Sequence, residues 1–140
     1  MIALDTNLLV YAHRSATPEH KAAQAAIERA AATEGWGFAV PVVAEFWSVV
    51  THPAAVGRPS TPSEALAFLS ALGEAGAQVW SPGAGFGLRL AQLAADRRIR
   101  GHRVVDLQIA LCAFEGGARE LWSHDARFAT IPGLRLVQPL

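Results

Sequence analysis

Short apolar runs alternate with longer stretches of helical spacing along the whole chain, and that alternation limits what it can fold into. Ile2–Leu4, Gly37–Val40, Gln78–Ser81, Glu120–Ser123 and Leu134–Gln138 each read as a short strand. Strands separated by amphipathic helices make an α/β fold with a mainly parallel sheet of five strands, because every parallel return needs a crossover. At 140 residues the chain reads as one domain, 1–140, long enough to bury a real core.

The helix signals are proline, glycine and capping residues. Asn7–His13 is a short helix after the first strand, and Thr17-Pro18 supplies a cap and an N1 proline for an alanine-rich helix reaching Thr33. Gly35 and Gly37 end it. Pro41 opens a helix that runs to about His52, where Pro53 stops it. Thr61-Pro62-Ser63-Glu64 is a capping box ahead of Ala65, Phe68, Leu69 and Leu72 at helical spacing. Phe86, Leu90, Leu93 and Ala94 mark a helix after Pro82, and another runs from near Val105 to Gly116-Gly117. The glycines at 83, 85 and 87 lack the P-loop Lys-Ser/Thr and the dinucleotide spacing, so they read as a turn leading into a helix.

Composition excludes several classes. A chain that is 51% hydrophobic with a mean hydropathy of +0.23 is not disordered. Zero formal net charge gives no global pull on nucleic acid, so such binding must use a local patch. The single cysteine, Cys112, makes no internal disulfide and fits a reducing cytoplasm. The longest apolar run, Phe38 to Val50, is broken by Pro41 and Glu45 and falls below the roughly 18 residues of a membrane helix. Asp5 likewise interrupts the first apolar run, so no signal peptide is read there. The expectation is a soluble, cytoplasmic protein.

Aspartate is scarce, with only four in the chain: Asp5, Asp96, Asp106 and Asp125. Asp5 ends the first strand and can also cap the helix that follows. Asp106 begins an apolar helix, where a capping role is again open. Asp125 directly follows the fourth strand. Asp96, beside Arg97 and Arg98, reads as a solvated surface charge. Glu45 sits among Val42, Phe46, Val49 and Val50, in a helix that reads as apolar nearly all round and therefore buried. An ionised carboxylate left unpartnered in such a place costs several kcal/mol. Strand ends and helix starts of a parallel sheet lie along one edge, where ligands bind. Four carboxylates gathered there repel one another, and a divalent cation removes the conflict. Oxygen-only donors point to Mg²⁺ or Mn²⁺, a pairing suited to phosphodiester hydrolysis.

"LDTNLLVYA", "VPVVAEFWSVVTHP", "VVDLQIALCA" and "LWSHDARFATIPGLRLVQP" together resemble PIN-domain ribonucleases, most nearly the VapC-type toxins of type II toxin–antitoxin systems in their mycobacterial branch. The resemblance covers essentially the whole chain. It implies a three-layer α/β/α sandwich and a Mg²⁺/Mn²⁺-dependent endoribonuclease. It also implies a homodimer with the acidic groove near its interface and a cognate VapB-type antitoxin that blocks the site. The family's acidic positions map onto Asp5, Glu45, Asp106 and Asp125, its polar residue after the first acid onto Asn7, and its hydroxyl before the fourth onto Ser123. Many relatives carry a further aspartate where this chain has Arg127, so weaker or single-metal binding follows if that side chain enters the pocket.

On this reading Asp5, Glu45, Asp106 and Asp125 are the catalytic and metal-holding residues, and Asn7 and Ser123 orient them. Arg97, Arg98, Arg100, His102 and Arg103 form the one basic cluster, open either to the RNA backbone or to plain solvation. His13, His52 and His124 read as structural or surface residues, and Trp36, Trp47, Trp80 and Trp122 as core or dimer packing. The alternatives are a phosphoaspartyl-type domain and a non-catalytic module with an acidic metal pocket. Haloacid-dehalogenase-type phosphatases need an aspartate where Asn7 stands. A receiver domain needs a lysine at a strand end, whereas the only lysine, Lys21, lies in a helical stretch. The intact set of four acids argues against a non-catalytic module.

Overall fold

The computed structural model describes residues 1–55 and 57–140. Among these residues five strands form one sheet: β1 (Ile2–Leu4), β2 (Trp36–Ala39), β3 (Gln78–Trp80), β4 (Glu120–Trp122) and β5 (Arg135–Val137). Their order is β3-β2-β1-β4-β5, and every neighbouring pair is parallel. All three residues of β1 and all four of β2 are buried. Successive side chains of a strand point to opposite faces, so both faces of the sheet are covered.

Among the described residues six helices supply the cover: α1 (Thr6–His13), α2 (His20–Ala31), α3 (Val40–Thr51), α4 (Pro62–Glu74), α5 (Phe86–Asp96) and α6 (Arg103–Glu115). The crossovers through α1–α2 and α3–α4 step in one direction from β1 to β3. The crossover through α5–α6 returns past β1 to β4. Right-handed connections put these two groups on opposite faces, giving the three-layer sandwich. The core is built from strand residues such as Leu4, Phe38 and Leu121 and helix residues such as Leu8, Leu9, Phe46, Leu107 and Ile109.

Local chemistry explains most boundaries. The Thr61 hydroxyl accepts from the Glu64 N–H while the Glu64 carboxylate accepts from the Thr61 N–H, so the capping box closes as its sequence dictates. Gly37 sits where any Cβ would overlap the Gln78 carbonyl group, which lets β2 and β3 lie close. Gly85, at φ 76°, makes the left-handed turn into α5.

Two expectations need correction. The second helix does not start at Thr17-Pro18: the Thr17 hydroxyl donates back to the Arg14 carbonyl at 2.8 Å, which commits it to a turn. The helix proper begins at His20, without a side-chain cap. Nor is α3 buried all round. Val42, Phe46 and Val50 face the core, but Val40 and Val49 are exposed and Ala44 and Trp47 border an open hollow of about 510 Å³. No described helix is long and apolar enough to cross a membrane.

Candidate active site

The strand order reverses its direction of growth between β1 and β4. In an open α/β sheet the crevice outside the strand ends at such a switch is where ligands bind. Asp5 leaves β1 there, with its N–H bonded to the Trp122 carbonyl at the end of β4, and Ser123 and Asp125 leave β4 beside it.

Asp5 is 7% exposed and makes two sets of contacts. Its Oδ1 accepts from the Thr6 N–H at 2.7 Å, capping α1. Its Oδ2 accepts from the Ser123 hydroxyl at 2.7 Å and, more weakly, from the Asn7 amide at 3.4 Å. Ser123, fully buried, in turn accepts from the Asn7 amide at 3.1 Å and from the Asp125 N–H at 3.0 Å. Asn7 closes the network by accepting from the His124 N–H at 3.1 Å. The two residues expected to orient the first acid thus hold one of its oxygens and tie it to the loop after β4.

Glu45 reaches the same place from α3, its Oε1 accepting from the Thr6 hydroxyl at 2.8 Å. Asp106 comes from the first turn of α6. That helix begins at Arg103, so Asp106 is not its cap; its Oδ2 accepts instead from the Ala129 N–H at 3.3 Å. Asp5, Glu45 and Asp106, with Thr6, Asn7 and Tyr11, line a hollow of about 360 Å³. Among the described residues, no ion pair involves any of these acids.

The electrostatics follow. Burial pushes the Asp5 carboxyl up to about 6. The bonds from Ser123 and Thr6 pull it back down, and the charges on Asp106 and Glu45 push it further up. Asp106 is also raised, first by burial and then by Asp125, against the opposing Ala129 hydrogen bond and Arg103 charge.

Asp125 does not share the first hollow. It lines a second one of about 510 Å³ with Arg103, Asp106 and Arg127, so Asp106 is the wall between the two. The expectation of four acids in one place therefore resolves into three acids plus a neighbour. A strand-end position fixes where the loop starts but not where it turns, and here the Arg127 N–H bonded to the Asp125 Oδ1 at 2.8 Å sets the turn. Arg127 lines the second hollow and does not enter the one between Asp5 and Glu45.

The donor set fits a hard divalent cation in kind: carboxylate and hydroxyl oxygens around one buried, unpaired acid. Among the described residues no three acidic, His or Cys groups converge closely enough to ligate an ion as they stand, so ligation requires the side chains to draw inward.

Of the basic cluster, only Arg103 borders either hollow; Arg97, Arg98, Arg100 and His102 are exposed and line neither. His13 packs against Phe46 and Phe68 and bonds Ser60, as a structural residue does. Exposed His52 bonds the Ala54 N–H, and exposed His124 meets Tyr11 edge-on. Trp36 and Trp80 are core residues. Tyr11 and Thr6 were missed from sequence; a half-buried tyrosine on an apolar helix gives no signal, and Thr6 is legible only as the neighbour of Asp5.

An acidic hollow at the switch point of a parallel three-layer sheet defines a class, and comparison with known proteins places the chain within it. The PIN domain family model matches residues 2–134, and the whole chain aligns at 35% identity with Ribonuclease VapC43 of Mycobacterium tuberculosis, covering 96% of that protein. The chain belongs to the PIN-domain family, in its VapC ribonuclease branch. The fold is also that of two solved structures. Mycobacterium tuberculosis VapC20, a sarcin–ricin loop cleaving toxin, superposes with a TM-score of 0.70 at 15% identity, over 91% of this chain and 92% of that one. VapBC2 from Rickettsia felis, bound to a DNA fragment from its promoter, gives 0.67 at 22% identity, over 98% of each chain.

Proposed function

We propose that this chain is the toxin of a toxin–antitoxin pair and cuts RNA internally at the hollow lined by Asp5, Glu45 and Asp106, in a reaction that depends on Mg²⁺ or Mn²⁺. The observation that carries the site is Asp5: a buried carboxyl in no ion pair among the described residues, raised to about 6 in the company of two further acids. Asp5, Glu45 and Asp106 would hold the cation, with Asp125 reaching it from across Asp106. The cation's chemistry is to acidify a water and to neutralise charge on a phosphodiester.

The chain's own residues do the rest. Ser123 and Asn7 fix one Asp5 oxygen by hydrogen bonds and leave Asp5 little freedom to rotate. The Thr6 hydroxyl holds the Glu45 carboxylate toward the hollow. Tyr11, Val10 and Val49 make an apolar flank beside the acids.

Two partners belong to the same reading. The VapBC2 structure of Rickettsia felis is the precedent for a VapB-type antitoxin partner, which here would block the acidic hollow. A homodimer is supported by the outward apolar face of α3, where Val40, Val43, Ala44 and Trp47 border a hollow with almost no polar lining.

The test is cleavage of total RNA by the wild type and by Asp5→Asn. The wild type should cut in Mg²⁺ or Mn²⁺ and stop in EDTA, and Asp5→Asn should lose at least about a hundredfold, the scale of an essential electrostatic group. An Asp5→Asn variant that cuts like the wild type would overturn the assignment of the site.

A further inference from the structure

The hollow on the far side of Asp106 is a different kind of surface from the first. Two guanidinium groups border it, Arg103 from the start of α6 and Arg127 from the loop after β4. One Arg103 nitrogen donates to the Arg127 carbonyl at 3.2 Å, which ties the helix start to that loop and holds the two residues side by side. The ion pairs among the described residues are Arg58–Glu64, Arg89–Glu115 and Arg135–Glu120, so neither Arg103 nor Arg127 is in a close ion pair, although the Arg103 charge acts on Asp106. Each acid in the same hollow has one oxygen on a backbone N–H. Asp125 accepts the Arg127 N–H, and Asp106 accepts the Ala129 N–H and forms the wall shared with the acidic hollow.

We propose that Arg103 and Arg127 form a clamp for an RNA phosphate adjacent to the one being cut. The proposal rests on the ribonuclease reading above and deepens it, by naming the side of the acidic hollow along which the strand leaves. Guanidinium forks suit phosphate oxygens, and each arginine keeps donors beyond those it spends on the protein. A strand whose scissile phosphate lies over Asp5 and Glu45 must pass Asp106 to reach this hollow, so the next backbone phosphate meets the pair. The clamp reads backbone and not sequence. It also narrows the basic cluster to one member, Arg103, and adds a residue outside that cluster, Arg127.

The test is the affinity of a mixed-sequence single-stranded RNA oligonucleotide, measured across a salt series in the cleavage-disabled Asp5→Asn background. Arg103→Gln and Arg127→Gln should each weaken binding several-fold and lower the slope of log affinity against log salt by about 0.7, the value for one single-strand phosphate contact. Arg103→Lys should restore most of the slope. Arg135→Gln, the same charge change at the amino end of β5 on the opposite sheet edge, should leave affinity and slope as they were. Equal losses in all three Gln variants would show a net-charge effect and overturn the clamp, as would wild-type slopes in Arg103→Gln and Arg127→Gln. Wild-type cleavage alongside those unchanged slopes would sink the clamp and leave the nuclease standing. Retained cleavage in Asp5→Asn would instead sink the nuclease site itself.

Discussion

Asp5 shows how one residue records the purpose of a site. Its folded-state carboxyl, about 6 against an ordinary 3.8, binds its proton more tightly than the unfolded chain does. The folded protein therefore loses stability as pH rises from about 4 to about 6 and carries the full cost, about 3 kcal/mol, above that window. Asp5→Asn removes the charge and keeps an oxygen for the Thr6 N–H. Its melting temperature should exceed the wild type's by several degrees at pH 7.5, and the two should converge near pH 4. A gap that does not change with pH would contradict the raised carboxyl. Ser123 gives the complementary prediction. Its buried hydroxyl serves Asp5, Asn7 and the Asp125 N–H at once, so Ser123→Ala should cost about 1–3 kcal/mol in urea unfolding. Asp5 as a strand-end acid was legible in the sequence. Its partnership with Ser123, 118 positions away, was legible only through the family resemblance, because spacing along the chain says nothing about which loops meet.

At the scale of elements, run length and punctuation carried most of the information. Pro41, Pro53, the 61–64 capping box and Gly116-Gly117 mark helix ends that the structure reproduces within a residue or two. The exceptions have physical causes. Thr17 can bond forward as a cap or backward as a turn, and it bonds backward to Arg14. The valines of α3 look alike in sequence whether they face a core or an uncovered surface, so the outward stripe around Trp47 could not be separated from the buried one. That stripe carries its own prediction: Ala44→Glu, exposed in the same hollow, should keep the protein folded but convert a dimer to a monomer in light-scattering chromatography. A wild type that runs as a monomer would remove the dimer from the account. The tight approach of β2 to β3 is the other element-level claim. Gly37→Ala would force its methyl into the Gln78 carbonyl and should destabilise by several kcal/mol in denaturant melts, well beyond the ordinary cost of a surface substitution.

For the whole molecule, the decisive feature is where the chain reverses its order of strands. With β1 at the centre and β4 on its other flank, the loops after both strands and the helix starts of α3 and α6 converge on one crevice. The alternation of runs made a parallel sheet legible, but the order of strands was not, so spacing placed four acids on one edge, and only the family resemblance, through Arg127, set Asp125 apart from the other three. The central claim is that Asp5, Glu45 and Asp106 are gathered, at a cost to stability, to hold a divalent cation. Calorimetric titration of Mn²⁺ into the metal-stripped protein tests this most directly. Saturable binding by the wild type is expected, with a loss of about tenfold or more in affinity for Asp5→Asn and Asp106→Asn and both variants still folded. Absence of binding by the wild type up to millimolar Mn²⁺, or equal affinity in all three proteins, would contradict it.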